Sequence, residues 1–190
     1  KTTGIKPFIK GFDFNFEYID RAAQFTYTKN HFPPEISPHD FLEYFEPVLR
    51  NKWKLKNEFW PCFSYQQHDI LNDTPKTDVS QYDLVMCNNL IIGWNEEDCR
   101  TTIANLANQV KEGGLIVLGG GPLGFVHLEI ISRGFTPLFD DIEEIHEAWT
   151  VQRRFYENEK PPFWALEPFN TDHPDGIVRY CTVFRKISGK

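Results

Sequence analysis

The sequence predicts an α/β fold with a mostly parallel sheet, and three observations lead there. Strand-like and helix-like stretches alternate along the 190 residues, the pattern of βαβ units. "YDLVMC" (Tyr82 to Cys87) is an unbroken apolar run of the kind a parallel sheet buries on both faces. Several strand-like stretches end on polar residues, and in open α/β sheets ligands bind beyond the carboxyl ends of the strands.

The elements follow in order. "KPFIKGFD" (Lys6 to Asp13) reads as a strand and "EYIDRAAQF" (Glu17 to Phe25) as a helix with Tyr18, Ala22 and Phe25 on one face. A loop with Pro33, Pro34 and Pro38 leads to a short aromatic helix, "DFLEYF", and a basic stretch, "RNKWKLK". "CFSYQQHDIL" carries a strand ending near His68-Asp69, and "YDLVMC" is the next strand. Asn95 then reads as a helix N-cap, with Glu96, Glu97 and Asp98 where the helix dipole favours anions. Cys99, Ile103, Leu106 and Val110 give that helix an apolar stripe, and Gly113-Gly114 stops it. "LIVLGG" is a short strand, "HLEIISRGF" a helix closing on Gly134, "FTPLFD" a strand, and "GIVRYCTVF" the last strand.

Composition narrows the function classes. A hydrophobic content of 41% over 190 residues is enough for one domain with a full core, and 17 Phe make that core bulky. No apolar run is long enough to span a bilayer, and "KTTGIKPFIKG" is not a signal peptide. A net charge of −7 makes nucleic acid a poor partner. Cys62, Cys87, Cys99 and Cys181 are widely spaced without C-x-x-C, which fits a reducing cytoplasm and points to neither a zinc site nor a disulfide framework.

The strand ends carry the chemistry. The first delivers Asp13, whose carboxylate can take both hydroxyls of a ribose. The second delivers Asp69-Ile70, which can accept from an adenine amine and cover one ring face. The third delivers Cys87-Asn88-Asn89, where amides can face an amino-acid moiety that needs both donors and acceptors. Each position also has a plain structural use, since Asp and Asn at strand ends commonly make turns with their own backbone.

"FDFNFEYIDRAAQFTY", "QHDIL", "YDLVMCNNLIIGW" and "NQVKEGGLIVLGG" resemble, in order and spacing, the catalytic domain of class I S-adenosylmethionine (SAM)-dependent methyltransferases. The chemotaxis-receptor glutamate methyltransferase type is the most similar, over roughly Lys6 to Gly120. The resemblance implies a three-layer, Rossmann-like methyltransferase sandwich with SAM as cofactor. It maps ribose binding to Asp13 with its neighbour Phe14, adenine binding to Asp69 and Ile70, and the cofactor and acceptor side to Cys87, Asn88 and Asn89. Two positions depart from the family. Its Arg in C-R-N is Asn88 here, and its usual Tyr shortly afterwards is Gly93, so receptor glutamate is not carried over as the acceptor. The family's first strand and Gly-rich loop belong before residue 1, and no initiator Met is present. Residues 1–190 therefore read as one methyltransferase-like domain, the C-terminal portion of a longer protein. Without that strand its two neighbours keep unpaired edges.

His68 is the one candidate base, although a His beside an Asp at a strand end is more often simply hydrogen-bonded. Residues 149–170 form an aromatic, Pro-rich segment that reads as acceptor-side. There Arg153 or Arg154 can grip an anion, with Trp94 as a further substrate-side residue. The acceptor, a small molecule or a protein side chain, and the oligomeric state stay open.

Two other classes compete. "GGGPLG" (Gly119 to Gly124) fits G-x-G-x-x-G between a strand and a helix, with Asp140 and Asp141 following, the fingerprint of an FAD- or NAD-dependent oxidoreductase. Against it, only 66 residues follow Gly124. A non-catalytic relative that keeps the methyltransferase fold for protein binding is the third; it would keep the pocket and lack cofactor affinity.

Overall fold

The computed structural model describes residues 4, 6–28, 32, 36–73, 82–88, 90–91, 93–119, 124–147, 169–172, 174 and 176–187. They fall into two compact units, Lys1–Asp73 and Thr74–Lys190.

In the first unit, β1 (Ile9–Asp13) and β5 (Phe63–Gln67) pair in parallel, with Asp13 opposite Gln67. Between them in sequence come α1 (Phe16–Ala23), β2 (Thr26–Thr28), α2 (Pro38–Tyr44), β3 (Phe45–Leu49), β4 (Lys52–Leu55) and a 3-10 helix (Asn57–Cys62). Strands β2, β4 and β3 make a separate antiparallel sheet that the sequence reading did not anticipate. Its signal lies in "KWKL", whose period-two alternation points Trp53 and Leu55 one way and the lysines the other. Reading the same stretch as a basic run hid it. Arg50-Asn51 close the β3–β4 hairpin, and Asn51 takes the positive φ of 64° that Asn tolerates.

Aromatic rings supply most of this unit's interior. Phe25 is buried against Trp60, Phe63 and Tyr65, with ring centroids 5.3–5.7 Å apart. Phe41 meets Trp53 edge-on at 4.6 Å and stacks on Phe45 at 5.1 Å. Two helix expectations need correction. Phe25 lies beyond the end of α1 at φ 51°, and Tyr18 is exposed, so they do not share a buried face. Asn15 caps α1, its Oδ1 accepting from the Glu17 N–H at 2.9 Å.

The second unit is a four-stranded sheet in the order β6 (Tyr82–Asn88), β7 (Val110–Gly119), β9 (Val183–Lys186), β8 (Phe135–Pro137). β6 and β7 are parallel, and β9 runs antiparallel to β7 and β8. α3 (Glu96–Gln109) and α4 (Gly124–Ser132) complete it, and residues 142–147 are also helical. Of the predicted stripe, Cys99, Ile103 and Leu106 are buried on α3, while Val110, also buried, is the first residue of β7. They join Ile116, Val126, Ile130, Phe135 and Phe184 in the core. α3 begins at Asn95, whose Oδ1 accepts from the Asp98 N–H at 2.8 Å. The carbonyls of Ala107, in its last turn, and of Val110, the first residue of β7, receive the Lys186 ammonium at 3.0 and 2.7 Å. Glu129 of α4 joins Arg100 of α3 and its own neighbour Arg133, each at 2.6 Å. These two guanidinium groups hold the Glu129 carboxyl below its ordinary range, the hydrogen bond from Arg133 contributing most.

Three expectations change here. β6 is not buried on both faces: Val85 and Cys87 are inside, while Leu84 (49% exposed) and Met86 (62%) are outside. It sits at a sheet edge and alternates like a one-sided strand. Gly113 does not stop α3, which ends at Gln109. Instead its φ of 75° sits where the β6–β7 register shifts between Tyr82 and Leu84. The last predicted strand is half 3-10 helix, Gly176–Tyr180, because Tyr180 turns inward onto His146 and Phe169 before β9 begins. Among the described residues β1 pairs with β5 alone and β6 with β7 alone. No described helix is long and apolar enough to cross a membrane.

Candidate functional site

In the first unit, the parallel register of β1 and β5 brings two of the predicted positions to one strand end. The His68 N–H donates to the Asp13 carbonyl at 3.0 Å, which continues the ladder past Gln67 and sets Asp69-Ile70 beside the end of β1. Gln67 Nε2 donates to the Phe14 carbonyl at 3.0 Å and fixes the turn that leaves β1. The Phe14 ring is 70% exposed, an apolar face presented to solvent.

The two carboxylates are occupied to different degrees. Asp13 Oδ1 accepts from the Asn15 N–H at 2.7 Å, an Asx turn, and among the described residues its second oxygen takes no hydrogen bond. Asp69 is more fully engaged by its own loop. Its Oδ1 accepts from the N–H groups of Leu71 and Asn72 at 3.0 and 3.2 Å, and its Oδ2 accepts from Asn72 Nδ2 at 2.8 Å. The Asn72 amide, with those two backbone donors, holds the Asp69 carboxyl below its usual range. Asp69 therefore stays ionised and keeps a lone pair on Oδ2, but its orientation is set by the turn.

Asp73 is the residue that sequence reasoning missed. Its Oδ2 accepts from the Asp69 N–H at 2.7 Å and lies 3.1 Å from His68 Nδ1. The ring of His68 also packs on Phe12 at 5.4 Å. Asp73 and Phe12 thus hold the His68 ring in place, with Nδ1 the nitrogen that faces the carboxylate. The four-residue spacing in "DILND" was the available signal.

In the second unit, the end of β6 presents Cys87 and Asn88 on opposite sides. Cys87 is buried beneath the helices, and burial pushes its thiol up to about 11. Asn88 is exposed and stands opposite Gly119, the last residue of β7. A Cβ on Gly119 would overlap Asn88 Oδ1 and stand 3.1 Å from its Cγ. The chain then turns through Gly93, whose φ of 77° strains any side chain. That accounts for glycine where the resembled family has Tyr. Trp94 is half-buried at the entry to α3, its N–H reaching the Ile91 carbonyl at 3.4 Å. Asn89, Arg153 and Arg154 lie outside the described residues, as do residues 149–168 of the aromatic segment and residues 120–123 of the glycine motif.

The first glycine of that motif has a packing explanation in Asn88 and needs no dinucleotide. In the first unit, the acceptors suit a nucleoside: the second oxygen of Asp13 for vicinal hydroxyls, the Asp69 carboxylate as another acceptor, and Phe14 and Ile70 as apolar neighbours.

Residues 2–123 match the family profile described as CheR methyltransferase, SAM binding domain. No protein of curated function matches the chain. Among solved structures, a TehB-like SAM-dependent methyltransferase from Corynebacterium glutamicum ATCC 13032 Kitasato is similar at 12% identity and a TM-score of 0.43. The similarity covers 94% of this chain, which spans 65% of the length of that one. A candidate sarcosine dimethylglycine methyltransferase from Galdieria sulphuraria is similar at 11% identity and a TM-score of 0.47, over 95% of this chain and 70% of that one.

Proposed function

The chain belongs to the CheR methyltransferase family through its SAM-binding domain, and on that premise we propose that it transfers a methyl group from SAM to a small-molecule or protein acceptor. The observation that carries the proposal is the convergence of Asp13 and Asp69-Ile70 at the carboxyl end of the parallel β1–β5 pair, within the matched residues.

Bound SAM supplies a methyl group already activated by the sulfonium charge, so this chain's own residues have mainly to bind and align. The unclaimed oxygen of Asp13 takes the ribose hydroxyls. Asp69 accepts from the adenine amine while Ile70 and Phe14 cover apolar surface. Cys87 contributes neutral backbone and packing, since its thiol stays protonated. Asn88 and Asn89 offer amides, and Trp94, Arg153 and Arg154 are the acceptor-side residues. A cytoplasmic setting agrees with four cysteines that form no disulfide.

Calorimetric titration with S-adenosylhomocysteine tests this. Saturable binding is expected, weakened by about 1–3 kcal/mol in Asp13→Ala, the scale of a lost acceptor on a ligand. Binding that Asp13→Ala leaves unchanged would remove the ribose assignment.

A further inference from the structure

We propose that Asp73 is a positioning residue that ties Asp69 to the end of β5 and thereby sets a preference for a purine bearing an exocyclic amine. This rests on the SAM reading above and deepens it. Every side chain involved lies within the first unit, Lys1–Asp73.

Asp69 is restrained in two ways. The N–H groups of Leu71 and Asn72 and the Asn72 amide orient its carboxylate within the turn, and they move with the turn. Asp73 ties that turn down. Its Oδ2 accepts from the Asp69 N–H at 2.7 Å, and its own N–H donates to the Asp69 carbonyl at 2.8 Å, a closed reciprocal pair. The same Oδ2 lies 3.1 Å from Nδ1 of His68. His68 is in turn fixed to the strands: its N–H donates to the Asp13 carbonyl at 3.0 Å and its ring packs on Phe12 at 5.4 Å. An unbroken series of contacts therefore runs from β1 through His68 and Asp73 to the backbone of Asp69.

Bringing a second carboxylate beside an ionised one costs free energy, which the Asp69 N–H and His68 offset here. Asp73 has little packing to lose, since 54% of its side chain is exposed. What it provides is a fixed place for the Asp69 carboxylate relative to the strand ends. A carboxylate only accepts, so it favours a base edge that offers an N–H and opposes one that offers a carbonyl oxygen. That distinction depends on alignment. A turn free to shift would let Asp69 retreat from the carbonyl and lose it.

Calorimetry compares S-adenosylhomocysteine with S-inosylhomocysteine, in which a carbonyl oxygen replaces the adenine amine. The full chain is titrated as wild type, Asp73→Ala, Asp73→Asn, Asp69→Ala and the double Ala variant, with a melting curve for each. The wild type is expected to prefer S-adenosylhomocysteine about tenfold or more, the scale of a hydrogen bond to a charged group. Asp73→Ala reduces that preference to about threefold or less by weakening S-adenosylhomocysteine selectively, as a misaligned bond would. Asp73→Asn, whose amide oxygen can accept the same N–H, retains it. Asp69→Ala abolishes the preference, and adding Asp73→Ala to it changes nothing further. Should Asp73→Ala not fold, Asp73→Leu, similar in shape and without an acceptor, carries the test. A preference that Asp73→Ala leaves unchanged, a further loss in the double variant, or a wild type that binds both ligands equally overturns the assignment and leaves SAM binding intact. A wild-type chain that binds neither ligand overturns the SAM reading, and the role of Asp73 with it.

Discussion

Gly11 and Gly119 solve the same local problem in different sheets. Each stands opposite a residue of a parallel partner strand whose side chain occupies the place of its missing Cβ: the ring of Tyr65 for Gly11, at 2.7 Å, and the amide of Asn88 for Gly119. Neither use was legible in the sequence, because both depend on register between strands far apart in the chain. Asp13 and Asp69 were legible as strand-end acids, Asp13 directly after Phe12 and Asp69 just past the strand-like segment that ends in Gln66-Gln67-His68. Their turn contacts, and the part played by Asp73, were not. The cysteine beside Asn88 makes a prediction at this scale. A thiol raised to about 11 by burial has little thiolate at pH 8, so alkylation of Cys87 there runs roughly a hundredfold or more slower than in the unfolded chain. Raising the pH towards that value should speed the reaction; peptide mass mapping after timed iodoacetamide treatment reads it. Rapid alkylation at pH 8 would show that Cys87 is not buried.

Elements with a self-contained signal were the readable ones. α3 carried its cap, its acidic first turn and most of its apolar stripe within fifteen residues; the cap and the acidic turn are present as read, and the stripe is present up to Leu106, its last member Val110 opening β7. Asn95→Ala is expected to cost about 1 kcal/mol, which for a chain of this size lowers the melting temperature by about 2–4 °C. Thermal denaturation measures it, and restoration by Asn95→Ser or Asn95→Asp identifies capping as the cause. β4 was hidden because its four residues carry two lysines, so charge outweighed alternation in the reading. The segment from Gly176 misled for the opposite reason. A short apolar run with Ile and Val looks like a strand, and only the burial of Tyr180 against His146 shows why its first half coils instead.

At the scale of the whole molecule, the order of elements placed the chain in its family before any three-dimensional contact was known. Alternating segments predicted the α/β class, and acids and amides at successive strand ends predicted a nucleoside-type ligand. The antiparallel sheet of β2, β4 and β3 was outside that expectation because it interrupts the βαβ alternation with strands of three to five residues. The competing oxidoreductase reading rested on the glycine spacing between a strand and a helix and on Asp140 and Asp141, and Gly119 now has a local use. The most direct test of the central claim is thermal melting of the chain with S-adenosylhomocysteine, FAD and NAD in parallel. A ligand that binds the native state stabilises it by RT ln(1 + [L]/Kd), about 2.7 kcal/mol at a hundredfold excess over Kd. The account predicts that S-adenosylhomocysteine raises the melting temperature while FAD and NAD leave it unchanged. A rise with either dinucleotide and none with S-adenosylhomocysteine would contradict it.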